Sequence, residues 1–155
     1  MKYLILILTV ILIVGGNVAK SQTQSIGIKT LEKLAEMESD EFESWALARG
    51  YTYYFIDKSF DIFDILYFKK GQKSTLAILL NKDGSKYGGA NFQTSTPAEY
   101  LAIKKSCKIN GYLFQKSENI NGVINHTYTG KKYDVYFNVN NAKEYLGYSI
   151  AVGRK

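Results

Sequence analysis

Hydrophobic and polar residues follow two periods along this chain, and the switch from one to the other happens twice in the same order. In Asp40–Gly50 (DEFESWALARG), Phe42, Trp45, Ala46 and Arg49 fall at i, i+3, i+4 and i+7, one face of a helix. Asp40 can cap the first turn, Glu43 can complete a capping box, and Gly50 can end the helix in a left-handed residue. The punctuation returns in Thr96–Gly111. Thr96 is placed to cap, Pro97 takes the first helical position, Glu99 completes the box, and Gly111 is the stop. Tyr100, Ile103 and Cys107 make the apolar stripe of that second helix. A further helix is expected at about Thr30–Glu38, where Leu31, Leu34 and Ala35 keep helical spacing.

Each punctuated helix runs into Gly-Tyr and then into a long stretch rich in aromatic and β-branched residues, broken by polar turns. Strands are expected at Tyr51–Ile56, Ile62–Phe68, Ser74–Leu80 and Tyr87–Thr94. A second set is expected at Tyr112–Lys116, Val123–Tyr128, Lys132–Val139 and Tyr145–Val152. The two halves align at a spacing of 58 residues (Phe42 with Tyr100, Ala77 with Val135, Leu79 with Phe137, Tyr87 with Tyr145, Gly89 with Gly147), while the Gly-Tyr pairs stand 61 apart. The expectation is an α+β fold made of a duplicated helix-plus-four-strand unit, about residues 40–95 and 96–155. One such unit cannot cover its own sheet. Two together give an antiparallel sheet of about eight strands with helices on one face. Alternation turns Tyr133, Val135, Phe137 and Val139 toward the helices, with Leu146, Tyr148, Ile150 and Val152 beside them in the last strand.

This order of elements, two tandem helix-plus-four-strand units, resembles the β-lactamase-inhibitor-protein architecture over most of the chain. The resemblance implies a protein-binding surface on the open side of the sheet and leaves the partner unspecified. With Cys107 as the only cysteine, this chain cannot form the disulfides usual in that family.

The first residues change the picture. Lys2 precedes the apolar run Tyr3–Val14 (YLILILTVILIV), Gly15 and Gly16 break it, and Ala19-Lys20-Ser21 offers small residues at a cleavage site. The run is shorter than the ~20 residues of a membrane-spanning helix, so residues 1–21 read as a secretory signal peptide. Residues 22–29 are then a flexible N-terminus and 30–155 a single domain, periplasmic or secreted. Contact with a membrane is expected only through the N-terminal segment before cleavage. Removing Lys2 and Lys20 leaves 18 basic against 14 acidic residues, a net charge of about +4. The lysines are scattered in pairs, which is no footprint for nucleic acid.

Catalytic signatures are absent from the pattern. His126 is the single histidine, in a formal glycosylation sequon with Asn125 and Thr127, and reads as a structural residue. Cys107 sits on an apolar stripe and reads as a buried thiol rather than a nucleophile. Asp57, Asp61 and Asp64 could converge on a cation, yet their spacing is that of turn chemistry and not of a calcium loop. No metal site and no cofactor is expected.

Tyrosine is the residue type with functional reach. Tyr54, Tyr87, Tyr136 and Tyr145 are expected to face outward, where they would either bind a partner or brace a solvated sheet face as cross-strand pairs. The reading is an exported, non-enzymatic binding protein that engages a protein, or as the lesser alternative a glycan, through its open sheet face. Two other classes stay open. One is a hydrolase built on carboxylates such as Glu41, Glu43 or Asp57–Asp64 and acting on a polysaccharide. The other is a structural envelope protein with an uncleaved anchor.

Overall fold

The computed structural model describes residues 26–140 and 147–155. The expected signal peptide and Tyr145 lie outside the described residues. Three helices come first and between the halves: α1 (Ile28–Leu34), α2 (Ser39–Leu47) and α3 (Pro97–Ile109). Strands β1 (Thr52–Asp57), β2 (Asp64–Lys70), β3 (Ser74–Leu80) and β4 (Lys86–Thr94) precede α3. Strands β5 (Leu113–Ile120), β6 (Val123–Thr129), β7 (Tyr133–Asn140) and β8 (Gly147–Arg154) follow it. All eight form one antiparallel sheet in the order β1-β2-β3-β4-β8-β7-β6-β5. Each unit is thus a four-strand meander, and the last strands of the two units meet at a central seam.

α2 and α3 end in the same way, for the same chemical reason. Gly50 and Gly111 adopt φ of +77° and +79°, which an L side chain would resist. That twist lets Tyr51 N–H reach the Ala46 carbonyl at 3.1 Å and Tyr112 N–H reach the Cys107 carbonyl at 3.2 Å, the six-to-one bond of a Schellman stop. Their starts differ from the sequence reading. α2 begins at Ser39, with Glu38 at the cap position and Asp40 already in the first turn. At α3 the hydroxyl that works is Thr94, which accepts from Thr96 N–H at 3.0 Å and donates to Glu99 at 2.5 Å. α1 starts at Ile28, two residues before the expected Thr30, and Ile28 is buried in the core.

Strand pairing gives the internal repeat its register. The helix ends and first strands correspond at 61 residues, down to a β-bulge at Tyr54 in β1 and at Gln115 in β5. The hairpins then set the correspondence to 60 for β2 and β6, 59 for β3 and β7, and 60 for β4 and β8. The uniform spacing of 58 fails in β3, because it equates Ala77 and Leu79, on the open face, with Val135 and Phe137, on the helix face. A one-residue slip exchanges the faces of a strand. At the seam, Asn91 pairs with Ala151, the residue that corresponds to it.

The core lies between the sheet and the helices. Phe68, Leu76, Phe92, Ile150 and Phe137 run across five strands in direct register, and the row beside it is Leu66, Ile78, Ala90, Val152, Val135 and Tyr128. Ile28, Leu31 and Leu34 of α1, Phe42 and Ala46 of α2, and Tyr100, Ile103 and Cys107 of α3 close over them. Two carboxylates tie the first helix and the turn after it to the sheet. Tyr112 Oη donates to Glu32 at 2.8 Å and Tyr133 Oη donates to Glu36 at 2.5 Å. Lys132, Lys86 and Arg154 also stand within 3.1, 3.7 and 3.8 Å of Glu36. The Tyr133 hydroxyl holds the Glu36 carboxyl below its usual pKa, against the opposing effect of partial burial, and Lys132 and Arg154 add to the lowering. No described helix is long and apolar enough to cross a membrane.

Candidate functional site

No described helix covers the other side of the sheet, and its central strands supply small residues there. Gly89 and Asn91 of β4 pair with Gly153 and Ala151 of β8, so the floor of this face lies low between taller neighbours. One wall is Ile65, Tyr67 and Leu79 from β2 and β3, and the other is Tyr136 from β7. Together they bound a hollow of about 360 Å³. Gly89 cannot be enlarged cheaply, because a Cβ there would stand 3.2 Å from both methyls of Leu79.

A bulge closes one end of the hollow. Leu79 pairs with Gly89 but Leu80 pairs with Lys86, so Tyr87 and Gly88 are extra residues in β4. Gly88 holds φ +96°, and a Cβ on it would meet the Arg154 Cβ at 3.1 Å. The bulge re-aims Tyr87, whose ring packs 5.2 Å from Phe63, itself stacked at 4.6 Å on Phe60. At the outer edge, the bulge in β1 brings Tyr54 and Phe55 to 4.8 Å of one another. Phe55 then stacks on Tyr67 at 4.4 Å, and the Lys69 ammonium lies 4.4 Å over Tyr54.

The four expected tyrosines therefore have different positions. Tyr87 and Tyr136, each 42% exposed, line the same hollow. Tyr54 reaches it only through Phe55 and Tyr67, and Tyr145 is outside the described residues. Sequence reasoning missed Phe55, Phe63, Ile65 and Tyr67, which sit in the expected strands Tyr51–Ile56 and Ile62–Phe68, where no clean alternation marks a face. A second hollow, about 400 Å³, continues along the same strands and shares Gln93 with the first. Its lining is polar, with Gln72, Lys73, Thr75, Asn138 and Ser149.

The other candidate groups are accounted for by their neighbours. Cys107 is fully buried, and burial pushes its thiol up to about 12 with the nearby Glu32 adding to the shift, which disfavours the nucleophilic thiolate. His126 lies on the helix side of β6, half-buried, and burial and then Lys104 lower its pKa. Asp57 accepts from Ser59 N–H at 2.9 Å, and Asp64 from Lys82 at 2.5 Å. No group of three or more metal-ligating side chains occurs among the described residues. Glu41 and Glu43 lie exposed on α2, and no Asp or Glu lines either hollow.

Comparison of the chain with family models, curated proteins and solved structures found no match.

Proposed function

We propose that this is an exported, non-enzymatic binding protein that engages a protein partner through the aromatic half of its open sheet face. The observation that carries the reading is the divergence of corresponding positions in the two units. On the helix side most correspondences stay apolar (Phe68 with Tyr128, Leu76 with Val135, Ile78 with Phe137, Phe92 with Val152), and the exception is Leu66 with the half-buried His126. On the open side the first unit places Phe55, Ile65, Tyr67 and Leu79 where the second places Lys116, Asn125, Thr127 and Asn138. The second unit forms the same meander with polar residues there, so the architecture does not demand the apolar ones. Rigid aromatic side chains around a small-residue floor are what partner anchors use. A carboxylate hydrolase would need two acids across one cleft, and the described hollows offer none.

Export rests on the pattern of residues 1–21. The test is affinity capture from an envelope fraction with the chain from Gln22, run beside a Tyr67→Ser/Tyr136→Ser variant of matched stability. A partner held by the parent and lost by the variant is expected. A captured set unchanged by the two substitutions overturns the reading.

A further inference from the structure

The helix layer carries a second asymmetry between the units, and it is electrostatic. α2 and α3 correspond residue for residue at their ends, yet their outer surfaces have opposite sign. α2 exposes Asp40, Glu41 and Glu43, and Arg49, just past the helix end, is turned onto the Trp45 ring at 4.0 Å. α3 carries Lys104, Lys105 and Lys108, while Glu99, its one acid, is held by Thr94. Glu41, Glu43, Lys105 and Lys108 have no ion-pair partner among the described residues. The Lys104 ammonium is held below the usual lysine value by burial and then by the charge of Lys108, so the lysines of α3 repel one another. Apolar side chains accompany the charges: Leu47 on α2 is 51% exposed, and Leu101 and Ile109 on α3 are 59% and 75% exposed.

We propose that this layer docks a second copy of the same chain, with α2 of each copy against α3 of the other. A twofold pair makes that contact twice and closes, which is the common solution for identical chains. The alternative register, α3 on α3, sets lysines against lysines and is disfavoured by repulsion. Leu47 of one copy and Leu101 and Ile109 of the other lose their water in the same step. An anionic membrane is the weaker fit, because it would attract α3 while Asp40, Glu41 and Glu43 of the same layer repelled it. The open sheet face stays free for its own partner.

The test is sedimentation equilibrium on the chain from Gln22, which retains every described helix and strand, at low and high salt. A dimer is expected at low salt and should weaken by about tenfold or more when salt screens the exposed charges. Lys105→Glu/Lys108→Glu and Glu41→Lys/Glu43→Lys should each be monomeric, with circular dichroism and melting like the parent. An equimolar mixture of the two variants should form a heterodimer, since each then offers the sign the other lacks. A monomeric parent at low salt overturns the proposal, as does a dimer indifferent to both reversals. Binding of the monomeric parent to phosphatidylglycerol vesicles, abolished by Lys105→Glu/Lys108→Glu, would assign the layer to a membrane and overturn it equally.

Discussion

The Asn91 side-chain amide donates to the Ser149 hydroxyl at 2.8 Å on the open face, diagonally across the seam between the two units. Both groups are partly shielded, so the bond replaces hydration that neither fully regains when its partner is removed. Asn91→Ala and Ser149→Ala should each cost about 1 kcal/mol in urea denaturation. The double variant should cost less than the two together, because one bond is lost in all three. Full additivity would mean that the two side chains act independently.

Glu36 gives the fold a pH dependence whose direction follows from its depressed pKa. A carboxyl held lower in the folded state than in the unfolded one stabilises above its unfolded pKa, and that contribution is lost as pH falls through the folded value. Glu36→Gln should therefore lower stability at neutral pH by about 1–2 kcal/mol, the scale of a charge-assisted hydrogen bond. The difference from the parent should shrink on acidification. Melting curves of both proteins from neutral to acid pH check this, and a gap that stays constant would place the effect elsewhere.

Cys107 should be silent chemically and sensitive sterically. With its thiol buried and pushed up to about 12, the folded protein should not react with a thiol reagent at pH 8 until it unfolds. Cys107→Ala should be mildly destabilising, and Cys107→Asp should prevent folding because no partner for a charge exists at the Ile103–Cys107 stripe. Reaction at the rate of a free thiol would contradict the packing of α3.

Residues on the two faces of the sheet should separate binding from stability. Tyr136→Ala and Tyr67→Ala should weaken partner binding by about 1–3 kcal/mol and shift unfolding by less than about 1 kcal/mol. Phe137→Ala and Ile150→Ala remove fully buried side chains and should cost about 2–5 kcal/mol of stability. Paired affinity and denaturation measurements on the four variants decide it. Normal binding by the Tyr67 and Tyr136 variants would sink the face assignment.

Trp45 packs against the core with its face toward Arg49, partly shielded rather than fully buried. Its emission should be moderately blue-shifted in the folded protein and move to the water value on unfolding. Arg49→Ala, which removes the cation from its ring, should move the native spectrum without unfolding the chain.

The sequence was most legible where local chemistry decides the structure. Gly50 and Gly111 mark both helix ends, and strict alternation in β7 assigns Val135 and Phe137 inward and Tyr136 outward. It was least legible where a neighbouring strand decides. In β2, Ile65 and Tyr67 face the open side while Leu66 and Phe68 face the core, so both faces are apolar and no alternation survives to be read. The bulges at Tyr54 and at Tyr87-Gly88 exist only relative to the strands they pair with, and they set the aim of the rings at the site. β5 extends to Ile120, past the expected Lys116, because its run Lys116–Asn119 is polar. The signal that could have found it is Asn121-Gly122, with φ of +52° and +82°, the left-handed pair of a tight hairpin turn.

The pairing of Asn91 with its own counterpart Ala151 has a consequence for ancestry. A lone unit ends in a strand whose free edge is complementary to itself, so two separate copies could have closed the same eight-stranded sheet as a symmetric assembly. Within one polypeptide the two units are free to differ, which two copies of one chain are not. The first unit can then set Phe55, Ile65 and Tyr67 on the open face while the second keeps Lys116, Asn125 and Thr127 at the corresponding positions, a division of labour that identical subunits cannot achieve.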